Sequence, residues 1–148
     1  MLTAFANPPF YTKYVCLPRP TDPVPPEIAD NPKFYPYFEN VIGALDGTHI
    51  ACSPSAADRQ SARNQKGFLS QNCLVVCSFD MRFLYVLSGW EGSAADATVY
   101  RNAHNVDFPI PEGKMYLADA GYGACDELFL PYRGERYHLA EWARAEIR

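Results

Sequence analysis

"NVIGALDGTHIAC", residues 40–52, contains Val41, Ile42, Leu45 and Ile50 broken by Gly43 and Gly47. Each glycine would weaken a helix by about 1 kcal/mol, whereas a strand tolerates glycine where it bends. The stretch therefore reads as a strand with a bend, and Asp46 interrupts its apolar run. A carboxylate in that setting must be solvated, hydrogen-bonded to nearby amides or paired with a cation.

Outward from this strand the chain alternates in type. "NCLVVCSFD" (72–80) and "RFLYVLSGW" (82–90) are short apolar runs, the first rich in β-branched residues, separated by Asp80 and Met81, and together predict a hairpin. "SAADATVYRNAHN" (93–105) places Ala94, Ala97, Thr98 and Tyr100 or Arg101 at helical spacing, with Ser93 as the expected N-cap. "KMYLADAGY" (114–122) returns to strand character, its Met115, Leu117 and Ala118 leading into Asp119 and a turn at Gly121. The tail "ERYHLAEWARAEIR" (135–148) has the composition to begin a helix. Seven of the thirteen prolines fall between Pro18 and Pro36, so residues 1–36 read as a proline-rich, extended or turning lead-in and 37–148 as the compact domain. Strands mixed with a crossover helix define an α/β domain on a mixed sheet.

Composition sets outer limits. A chain of 148 residues with 48% hydrophobic and 14% aromatic content can bury one core. No stretch approaches the ~18 apolar residues of a membrane span, and "MLTAFANPPFYTKY" lacks the features of a secretion signal, so a soluble intracellular protein without a membrane partner is expected. The formal net charge of −4 creates no overall field for nucleic acid, so any contact with DNA must be local. Cys16, Cys52, Cys73, Cys77 and Cys125 form no C-x-x-C pair and read mostly as small buried hydrophobes.

Asp46 and Asp119 each interrupt a strand-like run close to a glycine. If the two strands were neighbours, their carboxylates would meet, and like charges so placed call for a proton or a hard divalent cation such as Mg2+. Such a centre suits phosphodiester cleavage. The alternative for either residue is a turn former or cap that accepts amide hydrogen bonds.

The ordered blocks "GALDGTHI", "KGFLSQN", "SFDMRFLYVLSGWEGSAADATVY" and "YLADAGY…LPYRGERYHLAEW" closely resemble the PIF/Harbinger-type transposase nuclease family, its fungal members in particular, over residues 34–144. The resemblance implies a DDE endonuclease domain: a ribonuclease-H-like mixed sheet with flanking helices and an Asp-Asp-Glu triad holding divalent Mg2+ or Mn2+. Its first aspartate falls on Asp46 and its second, before "GY", on Asp119. The family's glutamate lies in a later block, Arg-x-x-x-Glu-Arg, which does not occur here; Glu141 and Glu146 precede the place of that helix. The expectation is thus a C-terminally truncated domain whose final helix is missing and whose DNA cleavage is impaired. A family histidine is replaced by Ala95, next to the retained Asp96. Asp96 reads as a residue behind the ligands or as a helix-dipole partner.

The polar loop "ADRQSARNQKG" offers Arg59, Arg63 and Lys66 for phosphate contact or for solvent, and the family's recurrent Lys-Gly block favours Lys66. His49, three residues after Asp46, should face the other side of a strand unless Gly47 bends it, as a core residue or one supporting the ligands. His104 and His138 read as surface residues, and Trp90 and Trp142 as packing residues, with Trp90 also able to face a substrate groove. The resemblance further implies DNA as partner, a separate DNA-binding protein beside it, and the nucleus as location. Two rivals stand: a non-catalytic domesticated remnant serving as a protein-interaction scaffold, with an exposed apolar patch, and a metal-dependent phosphoesterase for small substrates.

Overall fold

Strand β1 (Val41–Ala51) is the middle of a five-stranded sheet. The computed structural model describes Pro9, residues 13–132 and Gly134. One helical turn, α1 (Pro26–Ala29), starts on a proline, which suits the first turn because its missing N–H would be unpaired there in any case. It buries Ile28, so the proline-rich segment also contributes an enclosed side chain.

The expected hairpin forms as β2 (Ser70–Cys77) and β3 (Phe83–Glu91), antiparallel to each other, with β2 antiparallel to β1. Its turn places Met81 at φ 66°, and Met81 N–H donates to the Ser78 carbonyl at 3.1 Å. Helix α2 (Asp96–Val106) crosses back to β4 (Met115–Leu117), which runs parallel to β1, and β5 (Leu128–Phe129) runs parallel to β4. The order is β3-β2-β1-β4-β5, three antiparallel strands continued by two parallel ones. Two residues are too few for a periodic signal, so β5 has no counterpart in the sequence reading.

The core lies between the sheet and α2. Val99, Tyr100 and Ala103 of the helix meet Leu45, Leu74, Val76 and Tyr85 from the strands. The helix starts two residues later than a Ser93 cap would place it: its N-cap is Ala95, which makes no side-chain cap bond, and Thr98 and Arg101 are exposed. Fully buried Phe108 stacks on Tyr85 with ring centroids 4.9 Å apart and tilts against Tyr116 at 5.4 Å. Burial of such a ring contributes about 1.5–3 kcal/mol.

Gly43 is dictated by close approach, since a side chain there would strike the Cys77 carbonyl oxygen and the Tyr116 ring. The register between β1 and β4 shifts between Val41 and Ala44, so the irregularity in β1 lies around Gly43 and not at Gly47, where pairing with β2 stays regular. Of the cysteines only Cys73 is buried; Cys52 and Cys77 are half-buried, Cys16 and Cys125 exposed, which corrects the expectation that most are core residues. Among the described residues no helix is long and apolar enough to cross a membrane.

Candidate active site

Ala44 of β1 pairs with Leu117 of β4 in parallel register. Two residues beyond each stand Asp46 and Asp119, so both carboxylates leave adjacent strands at the same level. Both are exposed. Each accepts a local amide: Gly47 N–H donates to Asp46 Oδ1 and Gly121 N–H to Asp119 Oδ1, both at 2.8 Å. The turn-forming role is therefore present, but it occupies one oxygen only. Oδ2 of each aspartate has no hydrogen-bond partner among the described residues.

A third carboxylate approaches from α2. Asp96 is the first residue of that helix, and its Oδ1 accepts Asn72 Nδ2 at 2.6 Å. It fills the space a side chain at Gly47 would need. Position 47 has no side chain because Asp96 is there. Asn72 also donates to the Ala94 carbonyl at 3.0 Å, while its Oδ1 is buried and unpartnered among the described residues. Alternation along β1 points Asp46 and the Gly47 position to opposite sides of the strand. Among the described residues, no group of three or more His, Cys, Asp or Glu side chains is placed to hold a metal ion.

Tyr122 joins these groups. Its ring is buried against Tyr100, centroids 6.1 Å apart, and its hydroxyl has no hydrogen-bond partner among the described residues. Burial first, then the charges of Asp96, Asp46 and Asp119, push the phenol well above its ordinary value of 10.0. An orphaned buried oxygen, two free carboxylate oxygens at one level and hard donors throughout fit a divalent cation of the Mg2+ kind, to which Asp46 and Asp119 could supply protein ligands.

Beside this edge lies a cleft of about 340 Å3 lined by residues that include His49, Asn64, Lys66, Ala95, Asp96 and Gly121. His49 is exposed and lies on the Gly47 side of β1, away from Asp46, so it is not a core histidine. Lys66 is also exposed at the cleft. Arg63 is turned onto the Gly67 carbonyl at 2.6 Å, and Arg59 lies exposed in the loop, outside the residues lining the cleft. His104 is half-buried and stacks on Tyr100 rather than lying free on the surface. Trp90 packs against the core. His138, Glu141, Trp142 and Glu146 lie outside the described residues. Asn72, Ser70, Asn64 and Tyr122 went unmarked in the sequence; the one signal for Asn72 was an amide at the head of the apolar run "NCLVVC".

A 3-2-1-4-5 mixed sheet with one aspartate in the middle of its central strand and a second just past the end of the parallel strand beside it is the arrangement of the ribonuclease-H-like class of DDE nucleases. Residues 45–146 match the family described as DDE superfamily endonuclease, and the chain belongs to that family. It is 31% identical over 112 residues to HARBI1 of Rattus norvegicus, covering 68% of this chain and 32% of that protein. The Mus musculus HARBI1 gives 30% over 112 residues, again 68% and 32%, and Protein ALP1-like of Arabidopsis thaliana 28% over 121 residues, 69% and 30%. The chain thus spans about a third of the length of these relatives. No solved structure matches it.

Proposed function

We propose that this chain forms the metal-binding part of a transposase-derived nuclease domain that cleaves phosphodiester bonds in DNA. The observation that supports the reading is the placement of Asp46 on β1 and of Asp119 two residues past the end of the parallel neighbour β4, in line with the Ala44–Leu117 pair, each with one carboxylate oxygen free among the described residues. In this reading Asp46 and Asp119 hold Mg2+ or Mn2+, which when bound supplies charge stabilisation and a water acidic enough to attack phosphorus. The Gly47 and Gly121 amides orient the two carboxylates. Asp96, anchored by Asn72, supports the strand beneath them, and Lys66 faces the phosphate backbone from the cleft. Two carboxylates position a cation less firmly than three, so cleavage by this chain alone is expected to be slow. The family resemblance further suggests a nuclear location and a separate DNA-binding protein as partner.

Isothermal titration calorimetry with Mn2+ tests the site. Asp119→Asn should abolish binding while the far-ultraviolet circular dichroism stays unchanged; binding equal to that of the unsubstituted chain would remove Asp119 from the site.

A non-catalytic scaffold is the second reading, supported by the missing three-acid group among the described residues and by an apolar groove of about 770 Å3 along β4 and β5. Phe38, Leu117, Phe129 and Tyr132 line that groove, with Phe129 and Tyr132 exposed. Strong binding of a hydrophobic dye together with no heat of Mn2+ binding would favour the scaffold.

A further inference from the structure

The Ser70 hydroxyl is buried, 3% exposed, at the polar start of a strand that turns apolar from Cys73 onward, and it stands at the centre of a short polar chain. Asn64 Oδ1 accepts the Lys66 and Phe68 amides, each at 3.0 Å, which fixes the orientation of the Asn64 side chain. Asn64 Nδ2 therefore faces Ser70 and donates to its Oγ at 3.1 Å. His49 Nδ1 lies 3.0 Å from the same Oγ.

Proton counting then sets the histidine. Ser70 has one hydroxyl proton, and with Oγ accepting from Asn64, the acceptor in reach of that proton is His49 Nδ1. If Nδ1 carried a proton instead, a buried hydroxyl proton would be left without an acceptor, which is disfavoured. Nδ1 is accordingly unprotonated, the ring is neutral, and the proton sits on Nε2, at the far side of the ring from Ser70. Nε2 has no hydrogen-bond partner among the described residues, and His49 lines the cleft that Lys66, Asp96 and Gly121 share. Asp96 already uses Oδ1 on Asn72.

We propose that His49 is a phosphate-contacting residue: Ser70 and Asn64 lock its tautomer so that Nε2–H donates to a phosphodiester oxygen of a DNA strand laid along the cleft, beside the Lys66 ammonium. This rests on the DNA-cleaving reading above and adds to it a built subsite for the strand flanking the scissile bond. The two contacts differ in kind. Lys66 releases counterions when it meets a phosphate, and a neutral N–H donor does not.

The test is fluorescence anisotropy of a short labelled DNA strand with the full chain in EDTA at neutral pH, across a salt series. Lys66→Gln should weaken binding and reduce the slope of log affinity against log salt by about 0.7–1. His49→Ala should weaken binding by about three- to tenfold, the loss of one hydrogen bond, with the slope unchanged. Because His49 is exposed, this variant keeps its fold, and Ser70→Ala should reproduce part of its loss. A strand with uncharged methylphosphonate linkages should bind the unsubstituted chain and His49→Ala alike. Nitrogen-15 chemical shifts of the imidazole report the tautomer directly: Nε2–H in the unsubstituted chain, a mixture in Ser70→Ala.

Unchanged affinity of His49→Ala, or an Nδ1–H tautomer in the unsubstituted chain, overturns the subsite while the metal reading stands on Asp119→Asn. A loss of Mn2+ binding in His49→Ala also overturns it, because the residue would then serve the metal. If the unsubstituted chain binds no DNA strand, the subsite and the DNA-cleaving reading fall together.

Discussion

Gly47 and Asp96 show how one residue's absence of a side chain is another residue's place. The carboxylate of Asp96 rests on the glycine, and Asn72 holds it there at 2.6 Å. A methyl group at position 47 must push α2 or the Asp96 carboxylate away, because strand backbone on both sides cannot retreat. Gly47→Ala is expected to destabilise the fold by about 1–3 kcal/mol, read as a lower urea midpoint with an unchanged slope. Tyr122 presents the opposite case. Its hydroxyl is buried without a partner among the described residues, so Tyr122→Phe should leave stability unchanged or raise it by about 1 kcal/mol in the same measurement. A marked loss would show that the hydroxyl is paired in solution. Sequence patterns revealed Asp46 and Asp119 because each carboxylate breaks an apolar run. Asn72 and Tyr122 carry no such mark: a tyrosine after a glycine turn is as suited to packing as to a site.

At the scale of elements, α2 begins without a side-chain cap. Ala95 has the extended backbone of an N-cap, φ −72° and ψ 142°, but no oxygen to offer the first-turn amides. Ala95→Ser supplies that oxygen in a geometry already suited to it, and should stabilise the chain by about 1 kcal/mol, seen as a rise in Tm. Ser93 read as the cap because it is the polar residue before the helical pattern. The chain instead spends residues 93–95 anchoring the β3–α2 connection, with Ser93 N–H on the Ser61 carbonyl at 3.0 Å and Ala94 N–H on the Glu91 carbonyl at 2.9 Å. The hairpin and β1 were legible because their apolar runs are long. β5 was not, since its two residues are a strand only by pairing with Tyr116 and Leu117.

For the whole molecule, the aromatic core couples folding to alkaline pH. Burial raises Tyr100, Tyr116 and Tyr122 above their ordinary value of 10.0, with neighbouring Cys125 and Glu127 adding for Tyr100 and the three aspartates for Tyr122. The folded state holds these protons more tightly than the unfolded chain does. Their contribution to stability is therefore complete below about pH 10 and is lost as pH rises beyond it, because unfolding then releases protons. The expected outcome is alkaline unfolding in which tyrosinate absorbance appears together with the loss of circular dichroism. Phenols ionising while the dichroism persists would show that the rings are accessible in the folded state.

The sequence by itself determined the order of β1 to β4 and α2, the α/β class and the two interrupting aspartates, because period and apolar runs act over a few neighbouring residues. Only the tertiary structure decided that Asp46 and Asp119 stand at one level, that Asp96 covers Gly47, and that Ser70 and Asn64 hold His49 at the cleft. Those relations join positions far apart along the chain, and strand register and packing, which local patterns do not encode, bring them within a few ångströms.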